Sequence, residues 1–334
     1  MTVPVAFQKY LGNQKVVEVL QRAIRQDRLP HAMIFAGPDG VGKRTLALLL
    51  ARMLNCASPA SEQPCEECLP CRKIRGGVHP DVREIKRDGA FIKIEQVREV
   101  VKEIAYQPFE AKTRVVIFDG ADQMQLPAAN SLLKTLEEPA SRTVIVLLTT
   151  KPHALLTTIR SRSRILQFGA IPQDQVEEHL VRQYGRGREE ARLAALFSQG
   201  SLGAAIAFDS GDYREARAKA LAFARQLLGN GDFADASGLA AEITKDRKDR
   251  DGFLLWLEAL AAVLQDAYYT FAAPGRVGQP DLQAELGQLA SRSSRAAVVS
   301  ALRAVQELRR SVNNNVNRQL ALEALFLSET RGNR

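Results

Sequence analysis

The stretch "GPDGVGKRT", residues 37–45, reads as a phosphate-binding loop with one residue changed. The pattern Gly-x-x-x-x-Gly-Lys lets bare backbone N–H groups curl round the phosphates of a nucleotide. The lysine reaches the outer phosphates, and the hydroxyl that follows holds Mg²⁺. Gly37, Gly40, Gly42 and Lys43 are present, but Arg44 stands where Ser or Thr belongs, and Thr45 comes one position late to replace that ligand. The flanks separate such a loop from a glycine turn at an ordinary strand-to-helix junction. "AMIF" (32–35) is a short apolar strand, and "KRTLALLLARMLN" (43–55) puts Leu46, Leu49, Leu50 and Met53 on one helical face. Strand, glycine loop, helix is the order that a phosphate loop requires.

Outward from the loop, residues 30–168 alternate apolar strands with amphipathic helices, which predicts an α/β fold with a parallel sheet covered on both faces. The strands are expected at 32–36, 81–85, 114–118 ("RVVIF"), 143–149 ("TVIVLLT") and 164–168 ("RILQF"). Helices are expected near 43–54, 94–106 (Ile94, Val97, Val101, Ile104) and 129–138 (Leu132, Leu133, Leu136). After Phe168 the strand signal stops. Residues 173–208 read as three short helices, Ser210-Gly211 as a break, and 212–334 as a longer helical part. Val298, Leu302 and Val305, then Val316, Leu320, Ala324 and Leu327, mark the stripes expected to face its core. The domain reading is 1–168 for the nucleotide-fold part with a metal module at 56–71, 169–210 for a small helical lid and 211–334 for an all-α domain.

All four cysteines fall in "CASPASEQPCEECLPC" (56–71). Cys56, Cys65, Cys68 and Cys71 offer four thiolates to one tetrahedral ion, the closed geometry of a structural Zn²⁺ site. With every place filled by protein, such a metal holds a loop together and leaves no open position for catalysis. A redox pair or disulfides are the alternatives, which a cytosolic compartment disfavours.

The 334 residues carry 46 Lys and Arg against 38 Asp and Glu, a formal net charge of +8 that leans toward a polyanionic partner. The charge is spread through mixed-sign stretches such as "TKDRKDRDG" (244–252), which read first as solvated helix ends. No apolar run approaches the ~20 residues of a membrane span. The start "MTVPVAFQKY" lacks the form of a signal peptide, so a cytoplasmic protein without membrane contact is expected.

Three local sequences then converge. "NSLLKTLEEP" (130–139), "TIRSRSR" (158–164) and the four-cysteine insert after a glycine-lysine loop resemble the bacterial clamp-loader ATPases of the AAA+ superfamily. Among these, the delta-prime subunits of DNA polymerase III are the first match and the tau/gamma subunits the second. "ELRRSVNNNVNRQLALEALFL" (307–327) is similar to the end of the helical collar of such subunits. The resemblance implies an AAA+ parallel-sheet domain with a zinc insert, a helical lid and a collar. It also implies a hetero-pentamer with tau/gamma and delta subunits, which uses ATP to open a sliding clamp and place it on primed DNA. DNA contact would run through backbone phosphates and so be salt-sensitive.

Carried over residue by residue, the resemblance implies a subunit that does not hydrolyse ATP. The family's second nucleotide motif ends in an Asp that positions Mg²⁺ and a Glu that orients water; "VVIFDGADQM" (115–124) supplies Asp119 but has Gly120 in the second place. Asp122 reads as a surface or capping carboxylate. Thr149-Thr150 resembles the polar sensor of the γ-phosphate, with Thr150 counted among the nucleotide-facing residues. In "GSLGAAI" (200–206) Gly203 takes the place of the lid arginine. Arg44, Gly120 and Gly203 thus each remove a group needed for hydrolysis, and such groups act as a unit. One element survives: "SRS" (161–163) resembles the family's Ser-Arg-Cys segment, and Arg162 is the implied arginine finger for a neighbour's ATP site, with Ser163 for Cys. On residue types alone, Arg160, Arg162 and Arg164 form a basic edge. ATP held by Gly42 and Lys43 stays an open expectation, with the Mg²⁺ ligand missing. The competing readings are an active tau/gamma-type motor and a zinc-stabilised DNA-binding module. Against the module, the insert carries few basic residues beyond Arg72, Lys73 and Arg75.

Overall fold

A computed structural model describes residues 10–59, 64–140, 142–229, 231–246, 250–312 and 317–331. It divides into two compact units, Met1–Ala207 and Phe208–Arg334.

The first unit is built on five parallel strands: β1 Ala32–Ala36, β2 Val82–Lys86, β3 Arg114–Asp119, β4 Thr143–Thr149 and β5 Arg164–Gln167, in the order β2-β3-β4-β1-β5. The period of two along each strand splits the apolar residues between two cores. Met33 and Phe35 of β1, Val115 and Ile117 of β3, and Val144, Val146 and Leu148 of β4 face one core. Ala32, Ile34, Val116, Phe118, Ile145 and Leu147 face the other. Burial on both faces is why these strands read as unbroken apolar runs and not as alternations.

Helix α1 (Gln14–Arg25) and α2 (Lys43–Asn55) cover the first face, with Leu46, Leu49, Leu50 and Met53 buried as the spacing predicts. A short α3 (Leu69–Arg75) follows the cysteines. α4 (Ile94–Ile104) and α5 (Leu126–Glu137) cover the second face through Val97, Val100, Ile104, Leu132 and Leu136. One turn, α6 (Thr157–Ser161), leads into β5. Three short helices complete the unit: α7 (Gln173–Tyr184), α8 (Arg188–Phe197) and α9 (Leu202–Ala207). The sheet class and the five strands are as expected, with ends moved by a residue at most. α1, α3 and α6 were not anticipated.

The second unit is all-α: α10 (Ser210–Leu228), α11 (Phe233–Ile243), α12 (Arg250–Ala272), α13 (Gln283–Arg292), α14 (Arg295–Ser311) and α15 (Arg318–Arg331). Phe223, Trp256, Leu257, Leu260, Val298 and Val305 are buried in it, with the Phe223 and Trp256 rings edge to face at 5.5 Å. Two expectations change. Ser210-Gly211 is not a break but the first turn of α10, because the Asp209 carboxylate accepts the N–H groups of Gly211 and Asp212 and caps the helix. The buried face of α15 is Leu322, Leu325 and Phe326, so Leu320 (60% exposed) and Ala324 point outward, two residues being more than half a turn. Val316 and residues 247–249 of the charge run lie outside the described residues. Among the described residues, no helix is long and apolar enough to cross a membrane.

Candidate functional site

The loop from Gly37 to Gly42 leaves the carboxyl end of β1 and enters the amino end of α2, the place where parallel sheets hold ligands. Its stem is knitted to both neighbouring strands: Gly37 N–H donates to the Thr149 carbonyl at 3.1 Å, and Phe168 N–H to the Ala36 carbonyl at 2.7 Å. Only glycine fits at two of its positions. A Cβ on Gly37 would lie 2.3 Å from the Phe168 carbonyl oxygen, and one on Gly42 (φ 95°) 2.7 Å from the Tyr10 hydroxyl. Lys43 is buried and curls back, donating to the Gly37 and Pro38 carbonyls at 2.7 and 2.6 Å. Burial pulls its pKa down, against the opposing pull of Asp39, Asp119 and Asp122. An ammonium has three hydrogens and the loop takes two, so Lys43 braces the cradle and keeps one for a ligand. The glycine loop and Lys43 therefore fit a nucleotide's phosphates.

Around the loop the motifs meet at one edge but not in the expected roles. Arg44 reaches Glu84 of β2 through a two-pronged bond, Nε to Oε1 and Nη2 to Oε2, the latter at 2.7 Å. Thr45 is exposed. Asp119 ends β3 in register with Lys86. Burial and the nearby Glu84 raise its pKa while Arg44 and Lys86 draw it down, with a net rise. Gly120 turns the chain at φ 81° and offers no side chain. Asp122 is neither surface nor cap: its Oδ1 accepts the Thr149 hydroxyl at 2.6 Å, and the Thr149 hydroxyl oxygen in turn accepts Lys151 N–H at 2.9 Å. Thr149 is thus the threonine tied into the site, whereas Thr150 is exposed. Gly203 lies against the loop, its N–H donating to the Gly40 carbonyl at 3.0 Å.

Arg162 is elsewhere. It caps the end of α6, just before the amino end of β5, and its Nη2 lies 2.8 Å from Glu137 Oε1 at the end of α5. Because β5 runs parallel to β1, the amino end of β5 and the phosphate loop lie at opposite edges of the sheet. A strand of this length spans about 13–16 Å at ~3.3 Å per residue. Arg162 therefore faces away from its own chain's loop.

The four cysteines meet as their spacing predicts. Their sulfur atoms all lie within 4.8 Å of one another, a set that can hold one metal ion. Cys56 follows the last residue of α2 and Cys68 precedes α3. Backbone N–H groups of Ser58 and Cys65 point at Cys56 Sγ, and that of Cys68 at Cys65 Sγ. A hydrogen bond from Ser58, with backbone bonds from Cys68 and Glu67, lowers the Cys65 thiol to about 6, toward the thiolate that a metal needs. Asn55 clamps the module to Thr113 with a pair of bonds of 2.9 and 3.0 Å.

Sequence reasoning missed Glu84, Glu137, Tyr10 and the bonded role of Asp122. Each acts through a partner far away in the chain, and no local pattern announces it.

Against this geometry, the family model described as "DNA polymerase III, delta subunit" matches residues 12–172, and its C-terminal companion matches residues 214–330. DNA polymerase III subunit delta' of Bacillus subtilis is 32% identical over 319 residues, which is 94% of each chain. The chain belongs to the delta-prime family of DNA polymerase III subunits. The delta' subunit of Escherichia coli is 30% identical over 315 residues, 93% of this chain and 92% of its own. Subunit tau of Bacillus subtilis is 34% identical, but over 169 residues only, 50% of this chain and 30% of tau. The delta-prime likeness runs through both units; the tau likeness covers half of the chain. Delta-prime membership makes the protein a clamp-loader subunit.

Proposed function

We propose that this delta-prime-type subunit is a stationary, non-hydrolysing member of the bacterial clamp loader that lends Arg162 to the ATP site of a neighbouring subunit. The observation that carries the reading is the placement of Arg162 at the edge of the sheet opposite its own phosphate loop. A guanidinium so placed meets a γ-phosphate only across an interface, where a finger supplied in trans can raise the rate by ~10³-fold or more. Gly120 and Gly203 support the non-hydrolysing half, since neither offers a group to polarise water or hold a phosphate.

In this reading residues 1–168 are an AAA+ domain and 169–210 its lid. Residues 211–334 form the collar, where outward-facing Leu320 and Ala324 on α15 offer apolar surface to a neighbour. The cysteine cluster holds a structural Zn²⁺, Lys43 retains its fit to ATP phosphates, and the protein works in the cytoplasm. Its partners are tau/gamma and delta subunits, the sliding clamp and primed DNA. The test is a reconstituted loader assayed for DNA- and clamp-stimulated ATP hydrolysis. Arg162→Ala is expected to lower the rate sharply and Lys43→Ala to leave it nearly unchanged. The reverse pattern would make this chain a motor.

A further inference from the structure

The position after a phosphate-loop lysine ordinarily supplies a hydroxyl to Mg²⁺, and an Asp at the end of β3 ordinarily faces the same ion. Here the first group is a guanidinium. Arg44 is held by both oxygens of Glu84, a two-pronged charge-assisted bond that fixes the plane of the guanidinium as well as its position. Asp119 lies close enough to feel Arg44, Glu84, Lys86 and Asp39. Glu84 is therefore already paired with two cations, Arg44 and, at 3.7 Å, Lys86, and Lys86 stands in register with Asp119 on the neighbouring strand, so positive charge is present beside Asp119 without any metal. Mg²⁺ asks for near-octahedral oxygen ligands at short distance. At this site it would find the hydroxyl gone, Glu84 engaged with Arg44, and a positive charge beside the remaining carboxylate. The residues fit phosphate but do not fit the ion.

We infer that Arg44 is a tethered cation standing in for Mg²⁺: fastened by Glu84, it supplies the positive charge beside Asp119, and the phosphate loop of this chain takes no divalent ion. The inference concerns the chain's own loop and is independent of what Arg162 does for a neighbour.

Mn²⁺ is the probe, because bound and free Mn²⁺ differ in their electron paramagnetic resonance signals. The full-length protein, its cysteine site first loaded with Zn²⁺, is titrated with Mn²⁺ alone and with Mn²⁺ plus a non-hydrolysable ATP analogue. Wild type is expected to take up no Mn²⁺ beyond what the nucleotide binds in its absence. Arg44→Thr, which restores the hydroxyl and removes the charge, is expected to gain at least about tenfold in affinity for Mn²⁺ with the analogue. Saturable uptake by wild type overturns the inference, and this result needs no variant. A folded Arg44→Thr, with an unchanged circular-dichroism spectrum and no gain in uptake, overturns it equally. Either failure leaves the Arg162 reading to its own test in the assembled loader.

Discussion

Gly203 donates its N–H to the carbonyl of Gly40 at 3.0 Å, and the two glycines touch with no side chain between them. A Cβ on Gly40 would meet the Ser201 hydroxyl at 2.1 Å and Gly203 backbone atoms at 3.2 and 3.3 Å, at a φ of 69°. One on Gly203 would meet Gly40 Cα at 3.1 Å, without a positive φ. Gly40→Ala is therefore expected to cost about 1–3 kcal/mol from strain and displacement, and Gly203→Ala clearly less. Urea denaturation of the two variants beside wild type checks the order. Equal stabilities for all three would mean that the segment carrying Gly203 does not rest on the loop.

Asp81 is a buried charge with its hydrogen bonds satisfied. Its carboxylate accepts the N–H groups of Phe109, Glu110 and Ala111 at 2.9, 2.8 and 3.0 Å and the Arg114 guanidinium at 3.0 Å. Asp81→Asn turns one acceptor oxygen into a donor facing N–H groups and leaves Arg114 without its counter-charge. A loss of about 3–5 kcal/mol is expected by chemical denaturation.

Beside it, buried His79 accepts Asp81 N–H at Nδ1, which fixes the neutral ring with its proton on Nε2. Burial lowers its pKa, outweighing the upward pull of Glu110 and Asp81, while Lys73 adds to the lowering. With the folded pKa below the unfolded one, the unfolded chain binds more protons, so stability rises with pH across that interval. The contribution is complete above ~6.5 and is lost as pH falls below it. His79→Asn, whose side-chain oxygen can still accept the Asp81 N–H, is expected to flatten thermal stability between pH 7.5 and 5.5. A wild type with no slope there would remove His79 from the account.

The sheet was legible because its strands are buried on both faces and its helices on one, so period and run length survive in one dimension. β1, α2 and β4 are placed by that signal almost to the residue. The cysteines were legible because four ligands close in sequence leave one geometry. α1 carries a signal of the same kind in Val16, Val17 and Leu20, without a flanking motif to set it apart. What spacing does not reveal is long-range pairing. That Arg44 answers to Glu84, 40 residues on, or Arg162 to Glu137, depends on which strand lies beside which. The outward turn of Leu320 has a similar cause: the partners of α15 select Leu322, Leu325 and Phe326, which spacing alone does not single out from the stripe with Leu320.

A metal at the cysteines would join the end of α2 to α3 across a segment with little apolar core of its own, Cys71 and Ile74 being the buried residues of α3. Removing it with a strong chelator is expected to lower the melting temperature of the first unit, and Cys68→Ser to do the same without chelator. About one equivalent of zinc by elemental analysis is the direct check. Protein purified under reducing conditions with no metal and an unchanged melting temperature would defeat the structural-metal reading.

Ser163 stands where the resemblance to clamp-loader ATPases implies a Cys, and its hydroxyl is buried with no hydrogen-bond partner. A thiol suffers less from such a site than a hydroxyl does. Ser163→Cys is expected to be neutral to stabilising by up to about 1 kcal/mol, measured by denaturation, with no change in the activity of the reconstituted loader.

Arg162 itself is bound to Glu137 at 2.8 Å and to the Thr158 carbonyl at 3.1 Å, with its side chain 37% exposed. An exposed pair of this kind contributes at most ~1 kcal/mol, so Arg162→Lys and Arg162→Ala are both expected to leave stability within that margin. Their effect on the assembled loader should be far larger, and of similar size for both. A finger works through a planar fork that spans two phosphate oxygens, which a lysine ammonium does not reproduce. Both variants are therefore expected to lose on the order of 10²–10³ in stimulated ATP hydrolysis while the loader still assembles, as followed by gel filtration. If lysine retains most of the rate, Arg162 contributes charge alone, and the same positive edge could draw it from Arg160 or Arg164. If neither variant loses rate, the trans finger is not Arg162.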